Sequence, residues 1–511
     1  MQTGATNDGA ARDANDAAVP PPYRHWVLIF CAMALGAYYL FGAVSMYPIP
    51  GGDAAGFIPP AVNLEAGKGL TNPLWALHGD PLGQYRYMEN PPLFQMVVAA
   101  CMWKPETVNA FIALAIFNAL TLWTYAAFLC LARPMRWLLT TWLGFIGSLL
   151  SLLAVAFFIS ASSAGRPEGL SALILTLGIA VVTWLQKRTW AWCFGFGIGV
   201  AAAIHPTHGI FLACLAVLTL LLTHRTAAAL RKTALTAALA LPLFFILLAL
   251  GPYAVGETLR AMAAHSAHAN APDYQLSTLV AFYLKLAPWS GLYLVAVALV
   301  LGWFGLHVWQ TAQDRASRWI RLAAVLGFAF VLWYFSIRSP NKSFYLAMLA
   351  PAIAAGALYL VVARGAPPHR KIPLCMLALF SAFFSLWLAR DLAVFVSYRT
   401  EGVSFQEARN TVRAVIASGP HPVSVSESLW VLTDEFQQVR LVERGTAAGD
   451  VMIVQQNQRQ SLVPPSFPGY RLVSHRFIPH SPEMFGVRIA RTMPGYSFAI
   501  YERDGLRGSE K

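Results

Sequence analysis

The feature that most constrains this chain is a series of long apolar segments through its first 390 residues. A transmembrane helix needs about 20 mostly apolar residues. We identify eleven such segments, at 26–46, 108–132, 137–160, 168–185, 189–205, 208–223, 232–250, 287–306, 320–337, 343–363 and 372–389. Only 12% of the residues are charged, about half the fraction of a typical soluble domain. The chain is therefore predicted to be a polytopic α-helical membrane protein with about 11 transmembrane helices, not a soluble enzyme, a coiled coil or a disordered chain.

Basic residues gather in every second loop between these segments. They are Arg133 and Arg136, Lys187 and Arg188, Arg225, Arg231 and Lys232, Arg315, Arg318 and Arg321, and Arg364, Arg370 and Lys371. Cytoplasmic loops carry such an excess, so we predict a cytoplasmic N-terminus and an external C-terminal region. The net charge of +13 is then mainly a topology signal with some attraction to anionic lipid. This distribution argues against a nucleic-acid partner.

The sequence divides into three regions. Residues 1–22 are rich in Ala, Asp, Asn and Pro and are predicted to be a disordered cytoplasmic tail. Residues 23–390 form the predicted transmembrane body, in which the first outer loop, 47–91, leads into a short apolar stretch, 92–103, predicted to be an interfacial helix. The six cysteines all lie in apolar segments, which predicts neither a disulfide framework nor a cysteine metal site.

The third region, residues 391–511, is more polar. A helical run at 403–417 precedes short runs rich in β-forming residues, at 422–426, 438–443, 450–456, 470–479 and 497–503. Gly, Pro and Asn cluster between these runs, as is typical of turns between strands. We predict a small α/β domain on the outer face, with no phosphate loop, nucleophile elbow or metal-ligand spacing of its own.

Ionisable residues near the apolar segments gather on the predicted outer side. Charged groups at bilayer depth are costly, and by default they mark function. Asp53 follows the first segment closely, within Gly51-Gly52-Asp53, and is a candidate general base or a helix N-cap. Glu89 precedes Pro91-Pro92. It is either a second acidic group of the site or a charge that stabilises the N-terminus of the following helix.

Two further motifs carry cations against the positive-inside bias. Arg166 and Glu168 lie in an outer turn, where they either contact a substrate or pair with each other. Arg338 and Lys342 are predicted at headgroup depth, as contacts for a lipid phosphate or as interfacial anchors.

Two pairs of histidines have i,i+3 spacing, His205 with His208 and His265 with His268. This spacing alone is a weak metal signal, and one pair is interrupted by Pro206. No metal or other cofactor is predicted, although a divalent metal is compatible with the residues present.

Taken in order, these motifs resemble those of the GT-C superfamily of integral-membrane glycosyltransferases. The likeness is to the bacterial branch related to protein mannosyltransferases and to the aminoarabinose transferase of lipid A. The residues that carry it are Asp53, Glu89 before Pro91-Pro92-Leu93, Arg166-Pro167-Glu168, and Arg338 to Lys342 before a late apolar helix. His205 stands where many members have Lys.

The resemblance implies transfer of one sugar from a polyprenyl-phosphate carrier to a glycolipid, glycan or protein outside the cytoplasm of a bacterium. It implies inversion, with Asp53 as general base, Glu89, Arg166 and Glu168 as further catalytic residues, and carrier phosphate contacts from Arg338, Lys342, Arg86 and His205. A lipid-carrier flippase or other transporter in the bacterial inner membrane is the alternative. A membrane scaffold presenting the C-terminal domain is a third.

Overall fold

A computed structural model describes the larger part of the chain. The described residues are 20–50, 52–75, 86–132, 137–185, 190–269, 302, 309, 314–334, 371–417, 422–426, 429–433, 439–441, 449–455, 464, 466–476, 483–484, 487–488 and 496–505. Arg338 and Lys342 lie outside them, as do the predicted span 343–363, nearly all of 287–306 and most of the predicted tail 1–22.

The described chain is mostly helical, with 74% of its residues in helices. The helices are α1 (Pro22–Val44), α2 (Gly52–Glu65), α3 (Leu93–Cys101), α4 (Thr107–Leu131), α5 (Trp142–Ile159), α6 (Glu168–Leu185), α7 (Trp190–Ile204), α8 (Pro206–Thr223), α9 (Thr226–Ala249), α10 (Val255–Ala269), α11 (Arg315–Leu332), α12 (Lys371–Glu401) and α13 (Phe405–Ala417). The helical class of the prediction is confirmed.

Within the described residues, four helical segments are long and apolar enough to cross a membrane. They are Pro22–Val44, Thr107–Leu131, Trp142–Ala164 and Thr226–Ala249. Shorter apolar helices cover Glu168–Gly178, Trp192–Ile204 and Pro206–Leu218. Large apolar side chains remain exposed on these helices, such as Phe30 and Trp192, which suits a lipid-facing surface. The fold therefore supports a membrane-embedded protein.

Two helices occur where the sequence suggested only loops. Helix α2 lies inside the predicted first outer loop 47–91, although it contains Pro59 and Pro60. Helix α10 lies in the segment 251–286, which is a second long loop between two of the predicted spans. The predicted short helix 92–103 is present as α3, and its N-cap is Pro92, with no side-chain cap.

The C-terminal region forms the predicted small sheet beside α13. Its strands are β1 (Val423–Val425), β2 (Val439–Leu441), β3 (Val451–Gln455), β4 (Tyr470–Arg476) and β7 (Phe498–Arg503), in the order β2-β1-β3-β7-β4, with β5 (Glu483–Met484) and β6 (Val487–Arg488) as a separate hairpin. Strand β1 pairs in parallel with β2 and β3, whereas β7 pairs antiparallel with β3 and β4. Inward side chains such as Val425, Ile453 and Phe498 are fully buried, because both faces of the central strands are covered.

The sheet and the helical body share one hydrophobic core. A single cluster of buried residues runs from Ala32 and Phe94 in the body to Trp430 and Ile500 in the C-terminal region. Helix α12 joins the two parts and continues through residue 390, where we placed the domain boundary, to Glu401. The C-terminal region is thus packed onto the body and not suspended from a linker.

The turn after α1 is held against α12 by the hydroxyls of two tyrosines. The hydroxyl of Tyr398 donates a hydrogen bond to the carbonyl oxygen of Ser45 at 2.6 Å. The hydroxyl of Tyr47 donates to the backbone oxygen of Asp391 at 3.2 Å. Burial raises the pKa of Tyr398 to about 12, so its hydroxyl keeps its proton at neutral pH. Met46, between Ser45 and Tyr47 in the turn, has a φ of +53°. This angle is uncommon for a residue other than glycine, so the contacts around the turn must support it.

Candidate functional site

Asp53 and Arg166, 113 residues apart in sequence, form an ion pair. Asp53 lies in the first turn of α2, and Arg166 lies in the turn between α5 and α6. The Asp53 side chain is 55% exposed, whereas that of Arg166 is only 8% exposed. An accessible carboxylate is therefore fixed in place by a buried guanidinium.

Arg166 also binds a second carboxylate, through another of its nitrogen atoms. Its Nε donates to Oε1 of Glu168 at 2.9 Å. Glu168 is buried at the start of α6. A charge is rarely buried unless it is paired, and here one guanidinium compensates two carboxylates. Arg166 and Glu168 thus pair with each other, which is one of the two arrangements that the sequence left open. Arg166 also pairs with Asp53.

Two histidines and a serine extend this group into the helical body. The Nε2 of His208 lies 3.8 Å from Oε1 of Glu168. Its Nδ1 lies 2.6 Å from the hydroxyl of Ser171, one helical turn after Glu168 on α6. The His205 ring is 4.8 Å from that of His208, and both residues are buried. We call Asp53, Arg166, Glu168, His208 and Ser171 the central polar cluster.

A sharp turn places Arg166 against α2. The 3₁₀ helix Ser160–Ala164 ends at Gly165, whose φ of +95° favours glycine. A Cβ atom at Gly165 would lie 2.5 Å from Cβ of Ala54, so the turn touches α2 next to Asp53. This close approach accounts for the meeting of two residues that are distant in sequence.

Glu89 and Arg86 lie in a second group, between the segment before α3 and helix α10. The Oε2 of Glu89 is 3.4 Å from Nδ1 of His265. Arg86 pairs with Glu257 at 3.5 Å, and its guanidinium lies over the ring of Tyr253. The contact of Glu89 with His265 thus joins the segment before α3 to α10.

Tyr87 fixes the segment that carries Glu89. Its buried hydroxyl accepts hydrogen bonds from the side-chain amides of Asn90 at 3.0 Å and Gln95 at 3.1 Å. Burial raises the pKa of Tyr87, so the hydroxyl is neutral. The ring of Phe57 on α2 lies 5.9 Å from that of Phe94 on α3 and 6.0 Å from that of His205, so α3 packs close to α2 and His205.

The structure thus brings together Asp53, Arg166, Glu168 and His205, with Glu89 and Arg86 nearby. Ser171 was not predicted, although its i,i+3 spacing from Glu168 places both on one face of α6. His208 was considered only as a metal ligand. Among the described residues, no group of three or more His, Cys, Asp or Glu side chains is arranged to hold a metal ion.

The central polar cluster offers one accessible carboxylate, that of Asp53, whose position is fixed by its ion pair with buried Arg166. An ionised carboxylate can accept a proton from a hydroxyl group. The buried guanidinium can also stabilise negative charge that develops close to it.

Compared with models of known protein families and with curated protein sequences, the chain matches none. The likeness to GT-C glycosyltransferases therefore stays a prediction.

Proposed function

We propose that the chain is a multi-pass membrane glycosyltransferase that moves one sugar from a polyprenyl-phosphate carrier to an acceptor outside the cytoplasm. The observation that carries this proposal is the accessible Asp53 carboxylate held by buried Arg166 and Glu168. The proposed topology has about 11 spans in a bacterial inner membrane, a cytoplasmic N-terminus and an external C-terminal domain. Asp53 then faces the side where a carrier-linked sugar and an acceptor meet.

In the proposed reaction, the acceptor hydroxyl gives its proton to Asp53 as its oxygen attacks the anomeric carbon of the sugar. The bond between that carbon and the carrier phosphate breaks, and its electron pair leaves with the phosphate. The new bond forms on the face opposite the leaving group, so the configuration inverts. Cations near the leaving phosphate would stabilise its charge in the transition state. Arg338 and Lys342 are proposed for this role, with Arg86 and His205 as further contacts.

Arg166 is proposed as the residue that orients the base. Its pairing holds the Asp53 carboxylate in one position, and Glu168 in turn holds the guanidinium. The proposed roles thus separate, with Asp53 contacting substrate and Arg166 and Glu168 supporting it. Glu89, paired with His265, is proposed to border the substrate path between α3 and α10.

The test is mass spectrometry of the cell-envelope glycolipids and glycans of a deletion strain. The strain carries wild type, Asp53→Asn or Glu65→Gln at equal expression. Glu65 is a matched control, because it is an exposed carboxylate at the other end of α2. We expect Asp53→Asn to remove one defined sugar mass while undecorated acceptor accumulates, because a general base contributes roughly 10²–10⁴-fold. Full decoration with Asp53→Asn would refute Asp53 as the base.

One observation favours transport as the second candidate. Glu168, His208 and Ser171 form a buried series of titratable and hydroxyl groups, of the kind that relays protons in membrane transporters. A flippase would retain the envelope sugar in Asp53→Asn cells and lose it in Glu168→Gln cells. Carrier movement in reconstituted vesicles, measured without any acceptor, would then distinguish transport from transfer.

A further inference from the structure

A second polar site lies between α1, α12 and the 3₁₀ helix before Gly165. It is a cavity of about 190 Å³. Six polar or aromatic residues contribute to its lining: Tyr38, Tyr39, Tyr47, Ser160, Ser163 and Asp391. None of these residues belongs to the central polar cluster, and none was singled out from the sequence.

The cavity offers several hydrogen-bonding groups beside aromatic faces. The carboxylate of Asp391 accepts a hydrogen bond from the Tyr38 hydroxyl at 2.5 Å. A carboxylate has about four acceptor positions, so this bond leaves acceptor capacity for a ligand. The Ser163 hydroxyl accepts from the side-chain amide of Asn118 at 3.3 Å, and it retains its own proton as a donor.

The charge of the lining favours a neutral ligand. Asp391 is the one ionisable acid or base among the described lining residues apart from the tyrosines, and burial raises its pKa, which favours its uncharged form. The described lining includes no lysine or arginine, the side chains that most often bind a phosphate group. Pockets for drug-sized ligands measure roughly 300–1,000 Å³, so a cavity of about 190 Å³ suits one small unit.

We propose that this cavity binds a single neutral sugar unit. Carboxylate and hydroxyl groups match the hydroxyls of such a ligand, and the tyrosine rings offer faces for its C–H groups. Ser163 is three residues from Arg166, so their Cα atoms are at most about 11 Å apart. This proposal rests on the proposed function, since it makes the cavity a subsite beside the Asp53 carboxylate for the sugar of either the acceptor or the donor.

Binding is tested on the purified full-length protein in detergent by saturation-transfer NMR. The probes are glucose, galactose, mannose and N-acetylglucosamine, with glucosamine as a cationic comparison. The variants are Asp391→Asn, which keeps the shape of the side chain, and Ala161→Phe, which fills the cavity from its wall. Asp314→Asn is the control, because Asp314 caps α11, outside the cavity lining, and Asn caps helices equally well.

We expect at least one neutral sugar to bind, and its affinity to fall at least tenfold in both cavity variants and to be unchanged in Asp314→Asn. Asp53→Asn should retain this binding even when transfer is lost. A failure of the sugar-binding proposal can therefore be distinguished from a failure of the proposed function. Thermal unfolding of each variant confirms that it is folded. Absence of binding by every neutral sugar, or equal binding in Ala161→Phe, would overturn the proposal. Binding of glucosamine alone would overturn it in favour of a cation site.

A transfer assay then separates the two sources of the sugar. If the cavity holds the acceptor sugar, Asp391→Asn raises the KM for acceptor at least tenfold and leaves that for the carrier-linked donor unchanged. If it holds the donor sugar, the effect on the two KM values is reversed. Unchanged KM values for both would contradict a subsite role.

Discussion

The hydroxyl of Tyr496 donates a hydrogen bond to the carbonyl oxygen of Met46 at 3.2 Å, across 450 residues of sequence. Tyr496 precedes the last strand of the C-terminal sheet and is fully buried, with its ring against Phe405 of α13. Met46 lies in the turn that leads from α1 to α2 and Asp53. The C-terminal region therefore contacts the backbone that positions the proposed base.

The first prediction concerns the hydrogen bonds from Tyr398 and Tyr496 to the turn after α1, which we call the tyrosine anchor. The double change Tyr398→Phe with Tyr496→Phe leaves the carbonyls of half-buried Ser45 and buried Met46 without their tyrosine donors. Loss of the donor to Met46 should cost about 1–3 kcal/mol, and loss of the donor to Ser45 should cost less. Amide hydrogen exchange of residues 43–50 should therefore accelerate at least tenfold, since 1.4 kcal/mol is a factor of ten. Tyr470→Phe is the control, because its hydroxyl bonds Gly449 within the sheet. Unchanged exchange at 43–50 in the double variant would show that these tyrosine hydroxyls do not stabilise the turn.

The second prediction concerns the shared guanidinium. Arg166→Ala leaves the buried carboxylate of Glu168 without its cation, which should lower the free energy of unfolding by about 3–5 kcal/mol. Adding Glu168→Gln removes the buried charge and should recover part of this loss. Thermal unfolding in detergent measures both variants, with exposed Arg260→Ala as the control. If the double variant is no more stable than Arg166→Ala, the charge balance is not what stabilises this site.

The third prediction concerns Gly165. Gly165→Ala places a Cβ atom 2.5 Å from Cβ of Ala54 at a φ of +95°, so the turn must move away from α2. We expect reduced thermal stability and a loss of sugar transfer of at least tenfold. Gly178→Ala in α6 has open space around its Cβ and should stabilise by about 0.5–1 kcal/mol. Wild-type transfer by Gly165→Ala would show that contact between this turn and α2 is dispensable.

The fourth prediction concerns Glu89 and His265. Glu89→Gln weakens the contact of Glu89 with His265, which joins the segment before α3 to α10. Amide exchange of residues 255–266 in α10 should therefore accelerate about two- to fivefold, since a partly exposed ion pair contributes up to about 1 kcal/mol. Glu65→Gln should leave this exchange unchanged. Unchanged exchange in Glu89→Gln would indicate that the contact with His265 does not hold α10.

Local pattern predicted the C-terminal sheet well, because alternation and turn residues are visible in short stretches. The run predicted at 450–456 is strand Val451–Gln455, and that at 470–479 is Tyr470–Arg476. Helix α2 lies inside the predicted first outer loop, and its Gly52 and its Pro59-Pro60 pair have low intrinsic helix propensity. Tertiary contacts override that local preference, since Ala54, Ile58 and Ala61 on α2 are completely buried.

The residues of the site could be predicted one at a time, but not their arrangement. Asp53, Arg166 and Glu168 were each conspicuous as charges beside apolar segments. The pairing of Asp53 with Arg166 depends on the close approach of α2 to the turn at Gly165, and sequence spacing carries no signal for it. Asp391 had no motif at all, and only the packing of α12 on α1 shows that it meets Tyr38.

The order of the anchors along the chain determines when the site can be assembled during synthesis. The turn at 45–48 leaves the ribosome with α1, and its partners Asp391, Tyr398 and Tyr496 follow hundreds of residues later. Until Tyr398 and Tyr496 are translated, the carbonyls of Ser45 and Met46 lack their tyrosine donors. The turn before Asp53 is then not yet held by the C-terminal part of the chain. A nascent chain that stops before residue 390 thus carries most of its membrane helices without a finished site.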